Sequence, residues 1–246
     1  MTSTEAPPID PPKKSRRWLR ILKRVVITLL IIAVVLVFGV FPYWFSSIIT
    51  RAGTRPADRQ LTSTPADFGA QFKDIEFQTS DGVKISGWLL PSRGKQATIV
   101  YSHGLFRSRR ELLDRAIDLW KLGYGALLYD SRSHGDSGKS PVSMGYWERL
   151  DAEAAARFLR EENHSEDRIV LFGISMGAAA ALLGAAETPE VAAVVSDSSF
   201  ISLDDTIKHH VRLFLRLPSF PMANEFEFFL ERKAGFEAAK LDALDA

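Results

Sequence analysis

The pattern of apolar and polar residues predicts an apolar N-terminal segment followed by alternating short strands and helices. Two stretches, 74–79 and 83–90, alternate around the turn pair Asp81-Gly82, which predicts a β-hairpin. Further apolar runs predict strands at 97–101, 126–129, 169–172 and 191–195. Helical spacing predicts helices at 109–122, 147–160 and 176–186. This order predicts an α/β protein with a doubly wound, mainly parallel sheet that is covered on both faces.

Residues 25–45, from Val25 to Phe45, predict a single transmembrane helix. The segment carries no charge in its 21 residues, and at about 1.5 Å per residue it would reach roughly 30 Å, the thickness of a bilayer core. Tyr43 and Trp44 near its far end fit a membrane interface. Two alternatives stay open: a signal peptide cleaved near Ser46-Ser47, and a buried core helix.

Charge adds an orientation to this prediction. Residues 1–24 carry seven Lys and Arg against two acidic residues, so the positive-inside rule predicts a cytoplasmic tail at 1–24 and an extracytoplasmic domain after the helix. The first 12 residues contain four prolines and are predicted to be disordered. Residues 46–70 are interpreted as a linker, and residues 71–246 as the folded domain.

Composition excludes several functions. The chain has no cysteine, which excludes disulfides, thiolate catalysis and Cys-ligated metals. No basic face follows the N-terminal tail, so no nucleic-acid partner is expected. No cluster has metal-ligand spacing and no glycine-rich phosphate loop is present, so no metal and no cofactor is expected.

Ser175 is the candidate nucleophile. It lies in Gly173-Ile174-Ser175-Met176-Gly177, directly after the predicted strand 169–172 and before the predicted helix 176–186. A sharp turn from strand to helix presents a serine to a general base, and glycines keep side chains out of that turn. The alternative is a tight glycine-rich turn that contains a serine without catalytic function.

A second motif, His103-Gly104-Leu105, follows the predicted strand 97–101. In a fold of this type, the loop after that strand and the residue after the nucleophile each supply one oxyanion-hole N–H group. Leu105 and Met176 are therefore the predicted donors. We interpret His103 as a residue that orients its loop by hydrogen bonding, because the general base in this fold follows the serine in the chain.

The third motif runs from Asp130 to Gly138 and reads DSRSHGDSG. With it, residues 70–200 resemble α/β-hydrolases of the serine-aminopeptidase, monoglyceride-lipase and esterase type. The resemblance implies that Asp130, Arg132 and His134 brace loops beside the site. Ser133 stands where the family usually has glycine, which leaves the backbone conformation at that position open.

The rest of a Ser–acid–His triad is not evident. After Ser175 the histidines are His209 and His210, in a stretch of helical spacing at 203–217. The resemblance implies a cap over the active site from about residue 200, and we interpret both histidines as surface or cap-packing residues. Asp197, at the end of the strand 191–195, is a weak candidate for the acid; the other acids include Asp204, Asp205, Asp242 and Asp245. The resemblance implies further strands that carry the acid and the histidine. We therefore expect the chain to be truncated, with residues 241–246 leading into the next strand.

The sequence thus predicts a membrane-anchored serine hydrolase that cleaves an ester, thioester or amide through an acyl-enzyme on Ser175. The expected substrate is a small molecule, an acyl compound or a peptide. The phenylalanines at 214–229 fit an apolar lid over acyl or lipid-like substrates and equally fit packing of the cap on the core. Two alternatives are an inactive membrane-tethered fragment or binding protein, and an acyltransferase that uses the same residues.

Overall fold

The computed structural model describes residues 17–161, 168–216 and 218–241. The predicted disordered tail at 1–12, Leu217 at the end of the predicted cap helix, and most of the predicted lead-in to a further strand at 241–246 lie outside these ranges. The candidate acids Asp242 and Asp245 also lie outside them.

Six strands form one mixed sheet: β1 (Lys73–Gln78), β2 (Lys84–Leu90), β3 (Ala97–Ser102), β4 (Gly125–Tyr129), β5 (Arg168–Ile174) and β6 (Val191–Asp197). Their order in the sheet is β1-β2-β4-β3-β5-β6. Strands β1 and β2 form the predicted antiparallel hairpin, β2 also pairs antiparallel with β4, and β3, β4, β5 and β6 are mutually parallel. The predicted doubly wound α/β sheet is confirmed.

Helices cover both faces of the sheet: α4 (Leu113–Lys121) lies on one face, and α5 (Arg149–Glu161) and α6 (Met176–Ala186) lie on the other. Three further helices are α3 (Pro56–Arg59), before the first strand, and α7 (Leu203–His210) and α8 (Met222–Ala234), after the last one. Ile99 and Tyr101 of β3 pack towards α4 on one face, whereas Val100 packs towards α5 and α6 on the other. Successive side chains of a strand point to opposite faces, so one apolar strand joins two separate cores.

The N-terminal helix is longer than its predicted bounds of 25–45. It runs without interruption from α1 (Arg17–Val35) through a π-helical turn (Leu36–Val40) into α2 (Phe41–Thr50). Within the described residues this is the one helix long and apolar enough to cross a membrane. The π-helical turn lies directly before the turn that contains Pro42, which has no N–H group to donate to a carbonyl oxygen of the helix. We call the whole segment, Arg17–Thr50, the anchor helix.

Residues 46–50 of the predicted linker belong to the anchor helix, whereas most residues of 51–70 are exposed, with two short helical turns among them. Ser46, Ile49 and Thr50 are buried, and the Thr54 hydroxyl donates to the carbonyl oxygen of Arg107 at 2.9 Å. The anchor helix continues to Thr50, and the hydroxyls of Ser46, Ser47 and Thr50 donate to carbonyls one turn earlier. Their polar side chains suggested a loop in the sequence, yet local bonds of this kind are compatible with a helix.

The segment after β6 forms the cap, residues 203–241. It consists of α7, a π-helical turn (Val211–Leu215), α8 and a short 3-10 turn (Ala238–Lys240). The cap packs against the anchor helix through aromatic pairs: the Phe45 and Phe226 rings are 5.2 Å apart, and the Tyr43 and Phe229 rings 5.3 Å. The anchor helix is thus joined to the domain at the cap.

Candidate active site

Ser175 occupies a strained turn between β5 and α6. Its backbone has φ 54° and ψ −116°, a region that residues with a side chain rarely adopt and that costs of order 1–3 kcal/mol. Its N–H donates to the carbonyl oxygen of Asp197 at 3.0 Å, and its own carbonyl accepts from Ala178 and Ala179. The Oγ of this partly exposed serine makes no hydrogen bond to the described residues. The surrounding backbone therefore holds the turn while the hydroxyl stays available.

The two glycines of the motif are required by close backbone approach. A Cβ atom at Gly173 would lie 2.1 Å from the carbonyl oxygen of Gly177, and one at Gly177 would lie 2.2 Å from that of Ser102. Both distances are far below van der Waals contact, so no side chain fits at either position. The motif thus packs β5, α6 and the end of β3 tightly around Ser175.

The predicted oxyanion donors flank this serine. A Cβ atom at Gly104 would lie 3.7 Å from the Cβ of Ser175, so the loop after β3 passes directly beside it. The N–H of Gly104 donates to Glu111 at 2.7 Å, and that of Phe106 donates to His134 at 3.2 Å. In the part of the chain that the structure describes, the N–H groups of Leu105 and Met176 have no such acceptor. The geometry leaves these two groups available to a developing negative charge, and their role stays a prediction.

His103 and His134 hold the loops together. The Nε2 of His103 accepts from the N–H of Ser131 at 3.0 Å, and its Nδ1 bonds the carbonyl oxygen of Gly104 at 2.8 Å. The Nδ1 of His134 forms a hydrogen bond with the carbonyl oxygen of Arg132 at 2.9 Å. Burial lowers the pKa of both imidazoles, that of His134 to about 4. Both rings are therefore neutral at pH 7, with their nitrogens engaged in the loops.

Asp130 and Arg132 are buried and bound to several groups each. The Asp130 carboxylate accepts from the N–H groups of Arg109 at 2.7 Å and Asp136 at 3.1 Å. Arg132 forms an ion pair with Asp151 at 2.8 Å and with Asp81 at 2.8 Å. These contacts connect the loop after β4 to α5 and to the hairpin turn, which supports a structural role for both residues.

Ser133 adopts the backbone conformation for which glycine is normally required. Its φ is 65°, in the left-handed region that is unfavourable for residues with a Cβ atom. Its hydroxyl donates to the carbonyl oxygen of Ser140 at 2.6 Å and accepts from the N–H of the same residue at 3.0 Å. The loop keeps the glycine-type turn, and the two hydrogen bonds offset part of its strain.

Asp197 is the acidic side chain next to Ser175 along β6. Its carboxylate pairs with Arg115 at 2.7 Å and accepts from the Ser198 hydroxyl at 2.8 Å. The hydrogen bond from Arg115 lowers the pKa of this exposed carboxyl. Arg115 comes from α4 and was not singled out in the sequence, because a pair across 82 residues leaves no local pattern.

His209 and His210 are exposed on α7. His210 donates from Nδ1 to the carbonyl oxygen of Thr206 at 2.7 Å, and its ring stacks on Phe214. No hydrogen bond joins Ser175 Oγ to a histidine within the described ranges. The same ranges contain no group of three or more His, Asp or Glu that could hold a metal.

An apolar pocket lies between the anchor helix and the cap, at a position that the sequence pattern does not locate. Its volume is ≈ 420 Å³, within the range of about 300–1,000 Å³ usual for small-molecule sites. Phe41, Phe45 and Ile49 form one wall, and Ile207 and Val211 belong to the other. In a uniformly apolar segment, helical periodicity cannot distinguish the face that binds protein from the face that meets lipid.

Comparison with known proteins places these motifs among hydrolases. A sequence profile described as serine aminopeptidase, S33, matches residues 93–226. The solved structure of Pyrococcus furiosus esterase Pf2001 is 33% identical, with a TM-score of 0.60, over 74% of this chain and 68% of that one.

Two curated relatives illustrate the range of similar proteins. The uncharacterized protein YqkD of Bacillus subtilis (strain 168) is 30% identical over 165 residues, which cover 66% of this chain and 54% of that protein. Polyketide transferase af380 of Aspergillus fumigatus is 33% identical over 137 residues, which cover 54% of this chain and 47% of the relative. The chain therefore spans about half the length of these curated relatives.

Proposed function

The chain belongs to the serine aminopeptidase S33 family of the α/β-hydrolase superfamily, and on that premise we propose that it supplies the nucleophile of a serine hydrolase. The observation that carries the proposal is the strained backbone of Ser175, flanked by the N–H groups of Leu105 and Met176 without other acceptors in the described chain. Strain of this kind is kept where function requires it.

The proposed reaction forms an acyl-enzyme. The Oγ of Ser175 bonds to the carbonyl carbon of the ester, thioester or amide while its proton passes to a base. The N–H groups of Leu105 and Met176 stabilise the tetrahedral oxyanion, the bond to the leaving group breaks, and the leaving group takes the proton. Water then attacks the acyl carbon, which releases the acid and restores the hydroxyl.

Acyl transfer is a second candidate, and a particular comparison favours it. One relative is named a polyketide transferase, at 33% identity over 54% of this chain. The same acyl-enzyme would serve, with an alcohol or thiol in place of water in the second step. Product analysis with an added alcohol separates the two reactions, because transfer yields a new ester whereas hydrolysis yields the free acid.

The first test is covalent labelling with a fluorophosphonate. We expect wild type to be labelled and Ser175→Ala to be unlabelled, while Ser199→Ala, a matched loss of a hydroxyl just after β6, keeps wild-type labelling. Absence of labelling in well-folded wild type would contradict the proposal and favour a binding protein with a hydrolase fold.

The oxyanion assignment has its own test. Leu105→Pro removes the N–H group, whereas Leu105→Ala removes only the side chain. Loss of one oxyanion donor lowers kcat by about 10²–10³-fold, so we expect that loss for proline and a much smaller one for alanine. Circular dichroism checks that both variants are folded; equal rates in the two would reject Leu105 as a donor.

We further propose that residues 25–45 of the anchor helix span a membrane, with the N-terminus cytoplasmic and the sheet domain extracytoplasmic. Seven cations precede the apolar segment, against Arg51, Arg55 and Arg59 shortly after it. The cysteine-free chain permits a direct test with Thr4→Cys and Lys121→Cys. A membrane-impermeant maleimide added to intact cells should label cysteine at position 121 but not at position 4, and the reverse pattern would reject this orientation.

A further inference from the structure

We propose that the pocket between the anchor helix and the cap binds the acyl chain of a membrane lipid, so that the substrate of Ser175 is an acyl ester resident in the bilayer. This inference rests on the proposed function and adds the substrate class to it. We call the cavity the acyl pocket; it is defined by the anchor-helix wall and the cap wall described below.

The first wall belongs to the anchor helix. Phe41, Pro42, Phe45 and Ile49 line the acyl pocket and lie on one helical face, along about 12 Å of its axis at about 1.5 Å per residue. The same continuous helix carries the exposed apolar residues of the proposed membrane span. A lipid chain beside this helix is therefore next to the pocket without crossing water.

The second wall is formed by the cap and is apolar as well. Ile207, Val211 and Phe226 line it, and the polar groups of two further lining residues are bound to the backbone. Thr206 donates its hydroxyl to the carbonyl oxygen of Ser202 at 2.8 Å, and His210 donates to that of Thr206 at 2.7 Å. With these groups engaged, the lining favours a hydrocarbon chain over a peptide.

Defined contacts join the two walls and fix their relative position. Lys233 of α8 donates hydrogen bonds to the Tyr43 carbonyl and the hydroxyls of Ser46 and Ser47, and its Nζ lies 3.5 Å from the centre of the Tyr43 ring. With the Phe45–Phe226 ring contact, these bonds fix the cap on the anchor helix. The pocket is thus formed before a ligand arrives, which lowers the entropic cost of binding.

Two of the aromatic side chains that line the acyl pocket are exposed. Phe214 of the cap is 72% exposed, and Phe45 of the anchor helix is 39% exposed. Exposed apolar groups clustered beside a membrane helix fit insertion into the interface between lipid and water. This arrangement indicates that the pocket opens towards the bilayer.

Met144 connects the lining of the acyl pocket to the chain that packs on the first turn of α6, directly after Ser175. Met144 lines the pocket, and a Cβ atom at its neighbour Gly145 would lie 3.4 Å from the carbonyl oxygen of Met176. Leu105, the other proposed oxyanion donor, packs against the same apolar cluster as Met144. An acyl chain in the pocket would therefore place its carboxyl end beside the proposed oxyanion donors.

Chain-length dependence tests this assignment in lipid nanodiscs. For 4-nitrophenyl esters from acetate to dodecanoate, each methylene buried should raise kcat/KM about fourfold until the pocket is filled.

Val211→Trp fills the pocket and should lower kcat/KM for dodecanoate about tenfold or more, while kcat/KM for acetate changes less than about twofold. The matched control is Leu213→Trp, exposed in the same π-helical turn, which should behave as wild type. Equal behaviour of the two variants would overturn the inference.

A binding measurement keeps the two proposals separable. In the Ser175→Ala background, a monoacylglycerol with a diazirine on its acyl chain should crosslink to α7, and Val211→Trp but not Leu213→Trp should reduce the yield. Absence of crosslinks to α7 would overturn the pocket assignment, even if acetate is hydrolysed. Crosslinks without fluorophosphonate labelling would retain the pocket and reject the proposed reaction.

Discussion

Ser175 lies between two unlike regions, the loops after β3 and β4 and the end of β6. In the braced loops, residues 103–111 and 130–138, most polar side chains are buried, and Arg132 pairs with both Asp151 and Asp81. At the open edge, residues 195–199, Asp197 pairs with Arg115 in contact with water, with their side chains 38% and 51% exposed. The loop that carries Leu105 is thus fixed by desolvated contacts, whereas the opposite side is held by solvated ones.

The largest expected difference comes from breaking one ion pair in each region. Arg132→Met leaves the fully buried Asp151 carboxylate without its partner, which should lower the free energy of unfolding by about 3–5 kcal/mol. Arg115→Met removes the exposed pair with Asp197 and should cost less than about 1 kcal/mol. Urea unfolding of both variants measures the contrast, and equal losses would mean that the two regions do not differ as described.

The braced loops should also respond to pH. Burial lowers the pKa of His134 from its ordinary value of 6.5 to about 4, so between these values the unfolded chain binds more protons than the folded one. Stability is therefore full above pH 6.5 and falls as the pH drops to about 4, by about 3 kcal/mol for this group. Urea unfolding at pH 7 and pH 4.5 measures the fall. The side chain in His134→Asn is neutral at every pH, so the free energy of unfolding of this variant should fall less between pH 7 and pH 4.5. An unchanged fall would show that His134 does not cause the pH dependence.

A smaller effect should follow from changes at Ser133. Ser133→Ala keeps the strained φ of 65° and loses two hydrogen bonds, which should cost about 1–2 kcal/mol. Ser133→Gly loses the same bonds but relieves about 1–2 kcal/mol of backbone strain, so its stability should stay within about 1 kcal/mol of wild type. Thermal unfolding ranks the stability of the three proteins. An alanine variant as stable as the glycine variant would show that the positive φ at position 133 adds little strain.

The smallest expected effect is at the open edge. Asp197→Asn alters an exposed carboxylate and keeps the backbone carbonyl that accepts from the Ser175 N–H, so unfolding should change by less than about 1 kcal/mol. Because this carboxylate is paired with Arg115, we also expect the kcat of ester hydrolysis to change little. A fall in kcat of about 10⁴-fold would instead identify Asp197 as the acid that orients the base.

The part of the site that depends on local order along the chain was predicted from the sequence. The helix after Ser175 has its predicted bounds, Met176–Ala186, because the glycine spacing and the apolar run before it are local signals. The path of the loop at Leu105 beside Ser175 also followed from the order of strands. These features require only neighbouring residues and a known connection rule.

The parts that depend on distant contacts could not be predicted in this way. No local pattern around Lys233 indicates a partner for it. In the structure it donates hydrogen bonds to the anchor helix, 186 to 190 residues earlier in the chain. The left-handed Ser133 is compensated by Ser140, seven residues away, in a loop without periodicity. Tertiary contacts of this kind override local preference and leave no pattern to count.

The continuous helix up to Thr50 has a consequence for how substrates are found. A flexible tether would let a domain sweep a volume whose radius grows with the square root of tether length. Here the anchor helix passes from the proposed span directly into contact with the cap. In the proposed topology the domain keeps one height above the bilayer. Enzyme and lipid then meet by lateral diffusion, a search in two dimensions whose rate depends on the surface density of substrate rather than on its bulk concentration.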